Sequence, residues 1–180
     1  MCKQLSNSKN VKVRTISRKD FIVMIKIQQI LPQYGNYIAG FVDGEGSFNV
    51  SFKIREDYLH KVKITACFNI SQKEKKILAW IKHILKCGTI RARGDGVFYY
   101  EVTNVNSLAK TIIPFFEKFP LRSQNKLQAF IIFKKIVKLI ENGEHLTREG
   151  VIKVYNLRDQ VKVARKRKYS LEFVLKNFDS

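Results

Sequence analysis

The stretch Ser47-Phe48-Asn49-Val50-Ser51-Phe52-Lys53-Ile54-Arg55 alternates polar and apolar side chains without an exception. A period of two over nine residues points to a β-strand with one face buried and one wet, because successive side chains of an extended chain point to opposite sides. After a polar turn from Glu56 to His60, the run Lys61-Val62-Lys63-Ile64-Thr65-Ala66-Cys67-Phe68-Asn69-Ile70 nearly repeats the pattern. A second pair follows: Thr89-Ile90-Arg91-Ala92-Arg93, a Gly94-Asp95-Gly96 turn, then Val97 to Thr103. Asp-Gly between alternating runs signals a hairpin. The four strands are expected to form one antiparallel sheet.

Helices are expected in the gaps. Ser71 can cap a helix from about Gln72 to Lys86, with Glu74 completing a capping box and Ile77, Ile81, Ile84 and Leu85 forming an apolar stripe. Asn104 or Asn106 can start another, from Ser107 to Lys118. A longer one runs from Asn125 to Glu141, with Phe130, Phe133, Val137 and Ile140 on one side. Thr147 caps a last helix through Val151, Val154 and Tyr155. The order is α-ββ-α-ββ-α with extra C-terminal helices, an α+β plan. Residues 1–35 read as an N-terminal extension, polar and basic at first and then apolar at Phe21-Ile22-Val23-Met24-Ile25. There a short packed helix is expected, ending at Pro32 and Gly35. The main domain spans 36–168, and 169–180 form a C-terminal tail.

At 180 residues the chain is long enough to bury a real core. Its 34 Lys and Arg against 15 Asp and Glu give a net charge of +19, far more than solubility requires. Such an excess points to a polyanionic partner, most simply nucleic acid, although a ribosomal or membrane-surface protein shares that signature. Cys2, Cys67 and Cys87 are odd in number and unpaired in spacing, which suggests neither a disulfide framework nor a zinc site. With no apolar run long enough to cross a bilayer and no secretory cleavage pattern, an intracellular protein without a membrane partner is expected.

Sorting the strands by face separates two chemistries. Phe48, Val50, Phe52, Ile54, Val62, Ile64, Ala66, Phe68, Ile90, Phe98, Tyr100 and Val102 form the side that helices must cover. The other side carries Ser47, Asn49, Ser51, Lys53, Arg55, Lys61, Lys63, Thr65, Asn69, Arg91, Arg93, Tyr99, Glu101 and Thr103, with Cys67 as a small groove-facing side chain. Glu101 is the single acid in that set. A β-ribbon fits the DNA major groove, where Arg and Lys bond guanine and Asn bonds adenine, and outlying Lys and Arg hold phosphates.

Immediately before the first strand stands Tyr37-Ile38-Ala39-Gly40-Phe41-Val42-Asp43-Gly44-Glu45-Gly46. Gly40 and Gly44 lie four apart, on one helix face with Ala39 beside them, so a second helix can approach closely there. Each such residue costs intrinsic helix stability, which points to a packing purpose. Two such helices packed together would bring two Glu45 carboxylates to one place, a hard oxygen site suited to Mg²⁺. Asp43 reads as a structural residue rather than a second catalytic acid. His60, His83 and His145 have no metal-like spacing, and the basic run Lys162 to Lys168 fits either a solvated tail or phosphate contact.

The run from Tyr37 to Gly46 resembles the signature of LAGLIDADG homing endonucleases. So do Phe68-Asn69-Ile70-Ser71-Gln72-Lys73, Phe119-Pro120-Leu121-Arg122-Ser123 with Lys126 and Phe130, and Gly143-Glu144-His145-Leu146-Thr147-Arg148-Glu149-Gly150. The likeness covers Tyr37 to Lys168. It implies that Glu45 and the Gly44 carbonyl hold an essential divalent metal, Mg²⁺ with Mn²⁺ or Ca²⁺ able to substitute in binding. It implies further that Gln72 positions the attacking water and that Lys76 lies near the scissile phosphate. The supporting lysine falls at Lys126, but Ser123-Gln124-Asn125-Lys126 stands where the family often has adjacent lysines. Either Asn125 or Lys126 occupies that position.

No second Asp-Gly-(Asp/Glu)-Gly follows an Ala/Gly helix; Gly94-Asp95-Gly96 is a hairpin turn. One motif supplies one carboxylate, so a homodimer is expected, with Tyr37, Ala39, Gly40 and Asp43 at its interface. The expectation is therefore a homodimeric, metal-dependent, site-specific endonuclease of double-stranded DNA, encoded in a mobile intron and cutting a near-palindromic site. The alternatives on the same fold are an RNA-binding intron maturase and a catalytically silent DNA-binding protein.

Overall fold

The computed structural model describes residues 27–58, 60–161 and 167–179. The apolar run Phe21 to Ile25 and most of the basic run after Val161 lie outside them. Helix α1 (Pro32–Glu45) starts at its proline, where the missing N–H is no loss, so Pro32 to Gly35 belong to this helix rather than to an extension. It leads without a loop into β1 (Gly46–Ile54), which pairs with β2 (Val62–Gln72). Gly46 is required at the joint because a Cβ there would meet Val42 Cγ1 at 2.5 Å and the Val42 carbonyl oxygen at 2.8 Å.

Helix α2 (Lys75–Leu85), β3 (Thr89–Ala92) and β4 (Phe98–Val102) follow, and the sheet order is β1-β2-β4-β3, antiparallel throughout. The Gly94-Asp95-Gly96 turn closes through Arg93 N to Val97 O at 2.8 Å, with Gly96 at φ 77°. The expected cap at Ser71 is corrected. Ser71 and Gln72 lie opposite Tyr99 and Phe98 in the ladder, so their backbone is extended and α2 begins after Glu74. Strand pairing outweighed a good capping sequence.

Asn104 does cap the next segment, accepting from Ser107 N at 3.0 Å. That segment is not one regular helix: α3 (Val105–Ser107) passes through a π-helical turn (Leu108–Ile112) into α4 (Ile113–Lys118). Pro114 has no N–H for the bond a regular α-helix would need there, and the wider turn accommodates this. Helix α5 (Gln124–Glu141) buries the expected Phe130, Phe133, Val137 and Ile140, together with Ile132 and Ile136. A 3-10 turn (Glu144–Leu146) leads to α6 (Arg148–Asp159), capped by Thr147 through Gly150 N at 3.1 Å. Where a C-terminal tail was expected, α7 (Leu171–Phe178) buries Val174 and Phe178, and the Phe178 ring stacks on His60 at 4.3 Å.

The helices cover one face of the sheet. At its centre Phe48 meets Phe68, Phe116, Phe130 and Phe133 with ring centroids 5.3 to 5.5 Å apart. Edge-on and tilted rings at these separations suit the aromatic quadrupole as well as burying area. Arg158, a residue that the sequence gives no reason to single out, lies buried over the rings of Phe52 and Tyr155, at 4.5 and 4.4 Å. Burial lowers its pKa.

Candidate active site and nucleic-acid interface

The site forms where α1 runs into β1. The C-terminal end of α1 leaves helix carbonyls without intrahelical partners and carries the negative end of the helix dipole. Glu45 is exposed there beside exposed Gly44, and no ion pair or hydrogen bond to its carboxylate is made among the described residues. An unpaired carboxylate on a negative helix end is a place that fits a hard cation. No group of three or more His, Cys, Asp or Glu within metal-binding reach exists among the described residues, so one chain's share of such a site is small.

Two other expected residues, Gln72 and Lys126, fall around this joint. Gly46 lies opposite Ile70, and β2 continues two residues further, so Gln72 stands at the sheet end from which α1 enters. Its Oε1 accepts from Lys73 N at 2.9 Å. Lys126, in the first turn of α5, donates from Nζ to the carbonyl oxygen of Gly46. Asn125 is exposed, and it is Lys126 that reaches the motif. Lys76 is exposed in the first turn of α2. Asp43 is engaged inside the chain: Oδ2 accepts from Arg122 N at 2.7 Å and Oδ1 from Ser123 N at 3.3 Å.

The outer side of α1 divides the residues expected at an interface. Gly40 and Gly44 are exposed with nothing within 4 Å of an added Cβ, so this stripe is open. Tyr37 beside it is 53% exposed, stacked on Phe41 and edge-on to Trp80 at 5.6 Å. Ala39 is corrected: it is 4% exposed and packs with Ile38 and Val42 into the chain's own core. A 100° rotation per residue takes it off the Gly40–Gly44 stripe.

On the sheet face away from the helices, the register lines up Ser47 with Asn69, Asn49 with Cys67, Ser51 with Thr65 and Lys53 with Lys63. Across β4 it adds Asn69 with Glu101 and Glu101 with Thr89, then Ser71 with Tyr99 and Tyr99 with Arg91. Ser71 and Thr89 thus share the face; continuing the alternation by one step at each strand end would have found them. Arg55, Lys61, Arg93 and Thr103 stand just beyond the strand ends.

Much of the positive charge here is already paired. Arg91 meets Glu101 at 2.6 Å, Arg55 meets Asp57 at 2.6 Å, and Lys61 lies 3.6 Å from Glu56. Arg93 bonds both Asp95 and the Tyr99 hydroxyl. The Arg93 guanidinium holds the Asp95 carboxyl down at about 2. Lys53 has no such partner in the register; it faces another ammonium, Lys63, which lies 5.1 Å from the Tyr58 ring centroid. Burial pushes the Cys67 thiol up, so it faces outward as a neutral group. Of the basic run after Val161, Arg167 turns inward, donating to the carbonyls of Arg158 and Val161 at 2.8 and 3.0 Å. No helix among the described residues is long and apolar enough to cross a membrane.

These features are shared with known proteins. The chain is 32% identical over 148 residues to homing endonuclease I-ApeII of Aeropyrum pernix, covering 78% of this chain and 87% of that one. It superimposes on the archaeal intron-encoded homing endonuclease I-Vdi141I, solved in complex with DNA, with TM-score 0.73 and 33% identity over 82% of this chain and 95% of the other. The I-SmaMI LAGLIDADG homing endonuclease, solved bound to cleaved DNA, matches with TM-score 0.68 and 30% identity over 77% of this chain but only 46% of its own. Residues 38–137 match the profile of the LAGLIDADG endonucleases, from the second residue of the run Tyr37 to Gly46 to the last turns of α5. With this profile match over more than half of its length and a relative 32% identical, the chain belongs to the LAGLIDADG endonuclease family.

Proposed function

We propose that this chain is a site-specific endonuclease of double-stranded DNA, acting in intron homing as a homodimer with a divalent metal, Mg²⁺ in the cell. The observation that carries this reading is Glu45, an unpaired carboxylate at the C-terminal end of α1, adjoining a four-stranded sheet with a basic face. The relatives named above are DNA endonucleases, two of them solved with DNA.

In this reading Glu45 and the Gly44 carbonyl hold the metal, which would supply an activated water and charge stabilisation at the departing oxygen. Gln72 orients the attacking water at the sheet end. Lys126, held beside Glu45 by the Gly46 carbonyl, neutralises charge that develops at the phosphate, as Lys76 does from α2. Ser47, Asn49, Ser51, Lys53, Lys63, Thr65, Asn69, Arg91, Arg93, Tyr99 and Glu101 contact base edges and phosphates.

The homodimer rests on three supports. One chain offers one Glu45 and no larger cluster of metal-binding side chains among the described residues. The Gly40–Gly44 stripe is open, with Tyr37 exposed beside it. The chain matches nearly all of I-Vdi141I but less than half of I-SmaMI, the size relation expected if one fold is used twice.

The decisive test incubates the protein with plasmid carrying the uninterrupted insertion site, in Mg²⁺ and in EDTA. Linearisation in Mg²⁺ alone is expected. Glu45→Gln should bind DNA normally and cut at least about 100-fold more slowly, in the range seen when a charge-stabilising group is removed. Normal cutting by Glu45→Gln overturns the metal assignment. Tight binding to structured intron RNA without linearisation would favour the maturase reading instead.

A further inference from the structure

We propose that Asp43 is a positioning residue for cleavage: by holding the residues that lead into α5 from the end of α1, it sets where Lys126 meets the Gly46 carbonyl next to Glu45. The proposal rests on the nuclease reading above and deepens it. Helix α5 lacks what a helix start normally has. Ser123 at its N-cap makes no side-chain capping bond, and its first turn contains no acidic residue. Four N–H groups at a helix start need partners, and a carboxylate suits them in both charge and geometry.

Asp43 supplies a carboxylate to the approach to that start, accepting from Ser123 N, the N-cap residue, at 3.3 Å and from Arg122 N, just before it, at 2.7 Å. Both of its oxygens are therefore occupied by backbone donors of the same chain. These bonds tie the end of α1 to the residues that lead into α5.

A second tie lies within one turn. Lys126 Nζ donates to the Gly46 carbonyl. The joint between α1 and β1 is thus bound to the start of α5 at Asp43 and again at Gly46, and Glu45 lies between these two points in the chain. The rest of α5 is fixed by the buried Phe130, Phe133, Ile136 and Val137. The first turn, which carries Lys126, lies N-terminal to these buried anchors, and Asp43 holds the residues that lead into it. Displacing a group at a phosphoryl-transfer site by about 1 Å can cost about 100-fold in rate.

The test compares Asp43→Ala, Asp43→Asn, Lys126→Ala, the double variant Asp43→Ala/Lys126→Ala and Glu45→Gln. All are assayed on plasmid carrying the insertion site, below the melting temperature of each variant. If the unaltered chain does not linearise this plasmid, the nuclease reading fails, whatever Asp43 does.

Given cleavage, Asp43→Ala should keep its DNA affinity in Ca²⁺ within about threefold while its single-turnover rate falls about 30- to 100-fold. Asp43→Asn, which keeps an acceptor oxygen for the same N–H groups, should recover to within about tenfold of the original rate. The double variant should cut no more slowly than Lys126→Ala, because Asp43 acts through that lysine. Should Asp43→Ala not stay folded, Asp43→Ser retains a capping oxygen and gives the same comparison.

Four outcomes overturn the proposal. Asp43→Asn as inactive as Glu45→Gln would make Asp43 a metal ligand. Loss of the dimer mass in Asp43→Ala would make it an interface residue. A lowered melting temperature with an unchanged rate would make it a stabilising cap only. Rate losses that multiply in the double variant would show that it does not act through Lys126.

Discussion

On the helix side of the sheet, Phe48, Phe68, Ile70, Tyr100 and Val102 are almost wholly buried, with the Phe68 ring against those of Phe48 and Tyr100. On the other side, the residues between them in sequence hold amides, hydroxyls, guanidiniums and two ammoniums set opposite each other. The same strands therefore meet two different criteria. Burial fixes the inner face by shape and volume. The outer face is set by polar pairs instead, and the Lys53–Lys63 pair works against the fold, since like charges directly opposite destabilise a sheet. Arrangements of that kind make sense where a polyanion is to come between them.

The contrast can be broken most severely from the inside. Phe48→Ala removes the ring that meets four others and should cost about 3–5 kcal/mol of stability, read as a lower urea midpoint. A loss under about 1 kcal/mol would show that the aromatic cluster is looser than its geometry indicates. On the outer face the sign reverses. Lys53→Ala should raise the urea midpoint slightly by relieving repulsion with Lys63, yet weaken DNA binding and reduce the slope of log K against log salt by about 1. An unchanged slope would remove Lys53 from the phosphate contacts.

The smallest effect concerns the hairpin tip. The folded-state pKa of Asp95, about 2, lies below the ordinary 3.8. Its contribution to stability is therefore fully present above about pH 4 and lost as the pH falls toward 2. The group is fully exposed, so Asp95→Asn should move the melting temperature by no more than about 2 °C. A larger shift would mean that this ion pair helps hold the outer face.

Much of the fold was legible because alternation and capping are local signals. The four strands, the Asp-Gly turn, the Asn104 and Thr147 caps and the buried stripe of α5 all follow from neighbours in sequence. The failures have a common cause. Ser71 was a good cap by local rule, but its backbone is paired across to Tyr99. Ala39 was grouped with Gly40 by adjacency, but the helix turns it inward. Ser107 to Lys118 read as one helix, but a π-helical turn interrupts it before Pro114. Arg158 carries no sequence signal, since its place depends on Phe52 and Tyr155 lying on either side of it.

The candidate site divides along the same line. Glu45 as a candidate and the basic sheet face could be read from residue types and spacing. Whether Asn125 or Lys126 supports the site could not, because one residue of register within a helix turns a side chain by 100°. The structure brings Lys126 to the Gly46 carbonyl and leaves Asn125 exposed. It likewise ties Asp43, a neighbour of Glu45 in sequence, to the backbone of Arg122, 79 residues away at the approach to α5. The sequence by itself determined the elements and the chemistry of each face, because these depend on period and composition. The tertiary structure decided which side chains from distant segments converge on Glu45, because that depends on the packing that sets one element against another.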